Sequence, residues 1–179
     1  ELDSLCPAHT ILASNTSVAV RFERQALSIK DPTLFERPLL YMTGSWHPGL
    51  RDEEQVLLRR YLLNGGTLLA DAAAGATEFD LAFRALCREL FPDAPLQALP
   101  AEHPLFSCFH TITTLSLHHE QEPVAPPIEA VTINQRPVIL YSRYGLGDGW
   151  AHQFSMYARC YTTEDALKLG TNLIVYVMQ

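Results

Sequence analysis

Apolar and polar positions along this chain switch between two periods, and the switches mark out its elements. "VAVRF" (Val18–Phe22) alternates apolar with polar, the period of a half-buried strand. "LLYMTG" (Leu39–Gly44) is a continuous apolar run closed by glycine, as a strand buried on both faces would be. In "RDEEQVLLRRYLLNGG" the period becomes helical: Leu57 with Tyr61, and Leu58 with Leu62, have the i,i+4 spacing of one face. Asp52 with Gln55 resembles a capping box, and Asn64-Gly65-Gly66 supplies a left-handed stop. "TLLAD" (Thr67–Asp71) predicts a second buried strand. A helix from Thr77 follows, with Phe79, Phe83, Leu86 and Leu90 on one face and Pro92 ending it.

"APLQALPAEHPLF" is rich in proline and reads as an ordered loop. Beyond it, "TITTLSL" (Thr111–Leu117), "IEAVTIN" (Ile128–Asn134) and "PVILYSR" (Pro137–Arg143) predict strands, with Asn134-Gln135-Arg136 as a hairpin-like turn. A last helix from Thr163 to Val177 carries Leu167, Ile174 and Val177. Gly170 inside it costs about 1 kcal/mol against alanine, which implies close packing there. Strands alternating with helices over short connections imply an α/β fold of three layers, a mostly parallel sheet flanked by helices, in one domain over residues 1–179.

Ligands of such sheets bind outside the carboxyl ends of the strands. That rule selects "TGSWHPG" (Thr43–Gly49), "DAAAGATEFD" (Asp71–Asp80) and "SRYGLGDGWAH" (Ser142–His152). Together they offer Ser45, Trp46, His47, Asp71, Arg143, Asp148, Trp150 and His152 as a candidate binding crevice, with His103 joining from the proline-rich loop. Each also has a plainer reading: the glycines as turn chemistry, the tryptophans as core or rim, Asp71 as a cap for the next turn. "GLGDG" lacks the spacing of a phosphate loop and a following helix. Asp71 with His47 and His103 would make a facial metal-ligand set. Ser45 or Ser142 with His152 would start a serine triad, but no G-x-S-x-G turn supports it.

Composition narrows the partners. The 179 residues carry a net charge of -7, against the basic face that nucleic acid needs. No run of about 18 apolar residues is present, so no membrane span is expected. Cys6, Cys87, Cys108 and Cys160 have no close pair, which excludes a CxxC or zinc-ribbon motif and favours buried free thiols. No initiator Met and no charged-then-apolar leader opens the chain, and "ELDSLCPAHT" reads as the tail of a helix, so a fragment is expected.

The segment "RPLLYMTGSWHPGLRDEEQVLLRRYLLNGGTLLADAAAG" resembles the central part of the bacterial domain of unknown function 4159. The likeness continues through "FDLAFRALCRELFPDAPLQALPAEHPLF" and closes on "LGTNLIVYVM", covering Thr10 to Met178. Members of that family look like distant relatives of class I glutamine amidotransferases and ThuA-like proteins. The resemblance implies a flavodoxin-like, amidotransferase-type sheet, and an upstream strand and loop. Active glutaminases of that type carry a G-x-C-x-G elbow. Asp71-Ala72-Ala73-Ala74-Gly75 lies on it, and Ala73 takes the place of the cysteine. Alanine has no nucleophile, so glutamine hydrolysis is excluded on this reading. The expectation is a non-catalytic binding domain without metal or cofactor, taking a small polar ligand, a glycan or a protein partner. The rival is a hydrolase using Asp71, His47 and His103, and a third reading is purely structural, one domain of a larger envelope-associated protein whose crevice is filled by its own side chains. The family likeness points to an extracytoplasmic or membrane-tethered setting.

Overall fold

A computed structural model describes residues 28–152 and 156–179. The expected strand Val18–Phe22 and Cys6 lie outside the described residues.

Five strands form one mixed sheet: β1 (Leu39–Gly44), β2 (Thr67–Ala72), β3 (Gln97–Ala98), β4 (Ile128–Ile133) and β5 (Arg136–Ser142), in the order β1-β2-β5-β4-β3. β1, β2 and β5 are parallel, while β4 runs antiparallel to β5 and β3 antiparallel to β4. The expectation of a mostly parallel sheet is corrected to a mixed one. The cause is the turn between β4 and β5. Asn134 and Gln135 both take positive φ, 49° and 64°, the conformation of a two-residue hairpin turn, and they send β5 back along β4.

Helix α1 (Asp52–Leu63) connects β1 to β2, and α2 (Thr77–Leu90) leaves β2. The capping box of α1 sits one residue earlier than expected. Glu54, not Gln55, reaches back to the backbone N–H of Arg51 at 2.9 Å. Its carboxyl is held down to about 2, chiefly by hydrogen bonds from Arg51. Both helices cover one face of the sheet, with Leu58, Leu62, Phe79 and Phe83 packed on Leu40, Met42, Leu68 and Ala70. α3 (Leu146–Ala151) and α4 (Thr163–Met178) cover the other, against Tyr41, Leu69 and Leu140. Alternate strand residues therefore face opposite helical layers, which is why β1 and β2 read as unbroken apolar runs.

Three local expectations change. Thr111–Leu117 forms no regular strand and makes only isolated bridges, Leu115 to Val124 and Leu117 to Tyr161. The loop "GLGDG" is itself part of α3, so a helix is present there after all. In α4 the inward face is Ala166, Leu169, Gly170 and Leu173, while Leu167 is exposed.

α4 is tied down by two contacts. A Cβ on Gly170 would lie 2.8 Å from the Trp150 ring, so glycine admits that indole. Asn172 is fully buried and acts as a cross-link. Its amide donates to the carbonyls of Leu105 and His110, each at 2.8 Å, and its oxygen accepts from His110 N–H at 2.8 Å.

The helices that follow β2 and β5 lie on opposite faces of the sheet. The carboxyl ends of these adjacent parallel strands are therefore the topological switch point, where an open α/β sheet leaves a crevice.

Candidate functional site

Asp71, near the end of β2, is the acid of this switch point, and it is fully buried. Its Oδ1 accepts from the Tyr41 hydroxyl at 2.5 Å. Its Oδ2 accepts from the backbone N–H of Leu146 at 2.6 Å and of Gly147 at 3.2 Å, the first turn of α3. Burial pushes its carboxyl up to about 6, although hydrogen bonds from Tyr41, Thr43 and the two amides oppose the shift. The same burial, with the Asp71 charge beside it, holds the Tyr41 phenol well above its ordinary value.

After Ala72 the chain turns sharply. Ala73–Gly75 is a single 3-10 turn in which Ala74 is left-handed (φ 52°, ψ 17°) and Gly75 has φ 71°. The strain falls at Ala74, one residue beyond Ala73, and both side chains are methyl groups. Asp148 in α3 accepts from the Ala74 N–H at 2.7 Å. A segment from the next connection crosses both turns: Arg159 N–H donates to Ala74 C=O at 2.9 Å, and Gly145 N–H donates to Arg159 C=O at 3.1 Å. The chain's own backbone thus lies across the crevice.

The other candidates divide into two groups. Ser45, Trp46 and His47 stand exposed on the loop after β1. Trp46 is 72% exposed, and His47 Nδ1 accepts from Gly49 N–H at 2.9 Å. Arg143 is exposed just beyond β5, its guanidinium 5.3 Å from the centre of the Tyr144 ring. Trp150 faces inward instead, donating to Ala166 C=O at 2.7 Å with its ring 5.3 Å from Tyr41. His152 caps α3 in a left-handed conformation, its Nδ1 3.2 Å from the Thr163 hydroxyl.

His103 is not part of this end. It caps a 3-10 turn at Pro104, its ring 5.2 Å from Tyr176, beside residues of the β4–β5 turn. That places it at the opposite end of the sheet from Asp71, and burial lowers its pKa. Asp71, His47 and His103 are therefore not brought together as ligands. Among the described residues no three His, Cys, Asp or Glu side chains group as a metal requires. Ser142 is buried and donates to Tyr144 C=O at 2.8 Å, with the Tyr161 hydroxyl 2.9 Å away, so it is not aimed at His152. Cys87, Cys108 and Cys160 are free thiols. Burial raises Cys87 to about 12 and Cys160 to about 11, far from thiolate chemistry.

Sequence reasoning missed Tyr41 and the amides of α3. The signal for Tyr41 was present. A phenol inside a run buried on both faces needs a polar partner, and the acid ending the neighbouring strand is the nearest available one.

A family model described as Domain of unknown function (DUF4159) matches residues 7–178. The chain belongs to this family. A comparison with curated proteins finds no match. Among the described residues of this DUF4159 domain, no helix is long and apolar enough to cross a membrane.

Proposed function

We propose that this DUF4159 domain is a non-catalytic binding module whose contact face is the outer surface at the carboxyl ends of β1, β2 and β5. The observation that carries this reading is the fate of Asp71. It is the acid of the turn, and it is sealed from solvent with both oxygens engaged by Tyr41, Leu146 and Gly147. The side chains left outside, Trp46, His47 and Arg143, are of the kinds that recognise ligands. The Ala73-Ala74 turn supports an amidotransferase-like elbow with its nucleophile replaced by methyl groups. A small polar ligand or a glycan suits a face with one exposed indole and an exposed guanidinium. The family likeness alone supports an extracytoplasmic or membrane-tethered setting.

One observation favours the rival hydrolase: a carboxyl raised to about 6 is the property of a general acid. Substrate would have to displace the Tyr41 and α3 donors to reach it, so binding is the better account.

Isothermal titration calorimetry tests the reading. Titration with a panel of neutral sugars, sugar acids and small dicarboxylates should give at least one saturable change that Trp46→Ala and Arg143→Ala both weaken. A ligand that binds all three forms equally would place the contact face elsewhere.

A further inference from the structure

We propose that Arg143 and Arg159 form an oxyanion subsite on this face, taking a carboxylate or phosphate group of the ligand; the proposal rests on the binding reading above. Both guanidiniums are held against one ring: that of Arg143 lies 5.3 Å and that of Arg159 5.0 Å from the centre of Tyr144. Arg159 also reaches the Tyr144 hydroxyl at 3.4 Å. Tyr144 is buried, its ring set edge-on to the fully buried Tyr161 at 5.9 Å, so the ring that both cations approach is fixed in place. Arginines restrained in this way have given up part of their side-chain freedom before any ligand arrives, which lowers the cost of binding one.

The acids nearby leave Arg143 uncompensated. Glu120 pairs with Arg159 at 3.0 Å. Asp148 is committed to the Ala74 N–H, and Asp71 is buried beneath α3. Among the described residues Arg143 is in no ion pair, and it stands exposed in a protein of net charge -7. Its position directly after Ser142, at the switch point of β2 and β5, is where an open α/β sheet presents its ligand. A planar guanidinium fork matches carboxylate or phosphate oxygens in a bidentate way that an ammonium does not.

The test is an NMR titration of the folded domain with inorganic phosphate and, separately, with glucuronate, reading the arginine Nε–H resonances. The expected result is saturable shifts of Arg143 and Arg159, with the dissociation constant raised at least tenfold by Arg143→Ala. Glu120→Gln should lower it by freeing Arg159, and Arg88→Ala, a distant charge removal, should leave it unchanged. Saturation by phosphate alone or by glucuronate alone assigns the group as phosphoryl or carboxylate. Shifts that stay linear for both anions, or an equal loss with Arg88→Ala, overturn the subsite. Arg143→Lys keeps the charge and loses the fork, so it should weaken binding even if the alanine variant folds poorly. A ligand lost with Trp46→Ala but retained with Arg143→Ala would leave the binding face standing and remove only this subsite.

Discussion

The carboxylate of Asp71 lies 2.6 Å from the backbone nitrogen of Leu146, joining the end of β2 to the first turn of α3. The bond is answered from the other side, because Asp148 of α3 accepts from Ala74 in the turn that follows Asp71. Each turn carries backbone N–H groups that no ladder or helix satisfies, and each is satisfied by an acid from its neighbour. The two loops of the switch point are therefore locked together. Polar groups that looked available for ligands in the sequence are part of the lock.

The charge state of Asp71 gives stability a pH dependence. Its folded carboxyl titrates at about 6, above the ordinary value of 3.8. A raised folded pKa means the folded chain holds the proton more tightly. This group's stabilising contribution is thus complete below pH 3.8 and is lost as pH rises through 6. Between pH 7 and pH 5 the wild type should gain about 1 kcal/mol from Asp71. Burial of His103 works in the opposite sense, so the comparison needs an internal reference. Urea unfolding of wild type and Asp71→Asn at both pH values supplies it, and the gain should be missing from the variant.

Gly170→Ala should destabilise the protein. Alanine gains up to about 1 kcal/mol of helix propensity, but its methyl would sit 2.8 Å from the Trp150 ring. Overpacking of that kind costs about 1–3 kcal/mol and wins. Trp150 is also fixed by its bond to Ala166, which limits its retreat. A melting temperature equal to or above that of the wild type would contradict the packing described.

Asn172→Leu should cost about 2–4 kcal/mol, since at a fully buried position it removes the donor to the Leu105 and His110 carbonyls and the acceptor of the His110 N–H. Chemical unfolding measures the loss. A loss under 1 kcal/mol would mean that the 105–110 loop is held by its apolar contacts alone.

Much of this architecture is legible in the chain. α1, α2 and α4 follow from apolar periodicity and stop signals, and β1 and β2 from uninterrupted apolar runs. Strand direction is less legible, because apolar content does not encode polarity. The Asn134-Gln135 turn, read as hairpin-like from the sequence, reverses β5 against β4, while the strand–helix alternation of the first half of the chain suggested a mostly parallel sheet. Thr111–Leu117 shows the limit of alternation as a signal: Ile112, Leu115 and Leu117 are buried, but through loop packing rather than a ladder. At the carboxyl ends of the strands, the sequence pointed to three loops and to Asp71 as either acid or cap, and the structure brings Asp71 and Asp148 of two of these loops into one hydrogen-bonded lock. The sequence could not place His103, whose position depends on a long proline-rich connection. It also passed over Arg159, because the segment carrying it reaches the crevice only through tertiary folding.

Hydrogen exchange at the Leu146 and Gly147 amides is the most direct test of the claim that Asp71 serves structure rather than chemistry. Both amides should be protected like the sheet core, and Asp71→Ala should speed their exchange selectively over that of β4. Exchange in the wild type as fast as in an open loop would contradict it, because the Asp71 carboxylate would then be uncommitted and available to a substrate.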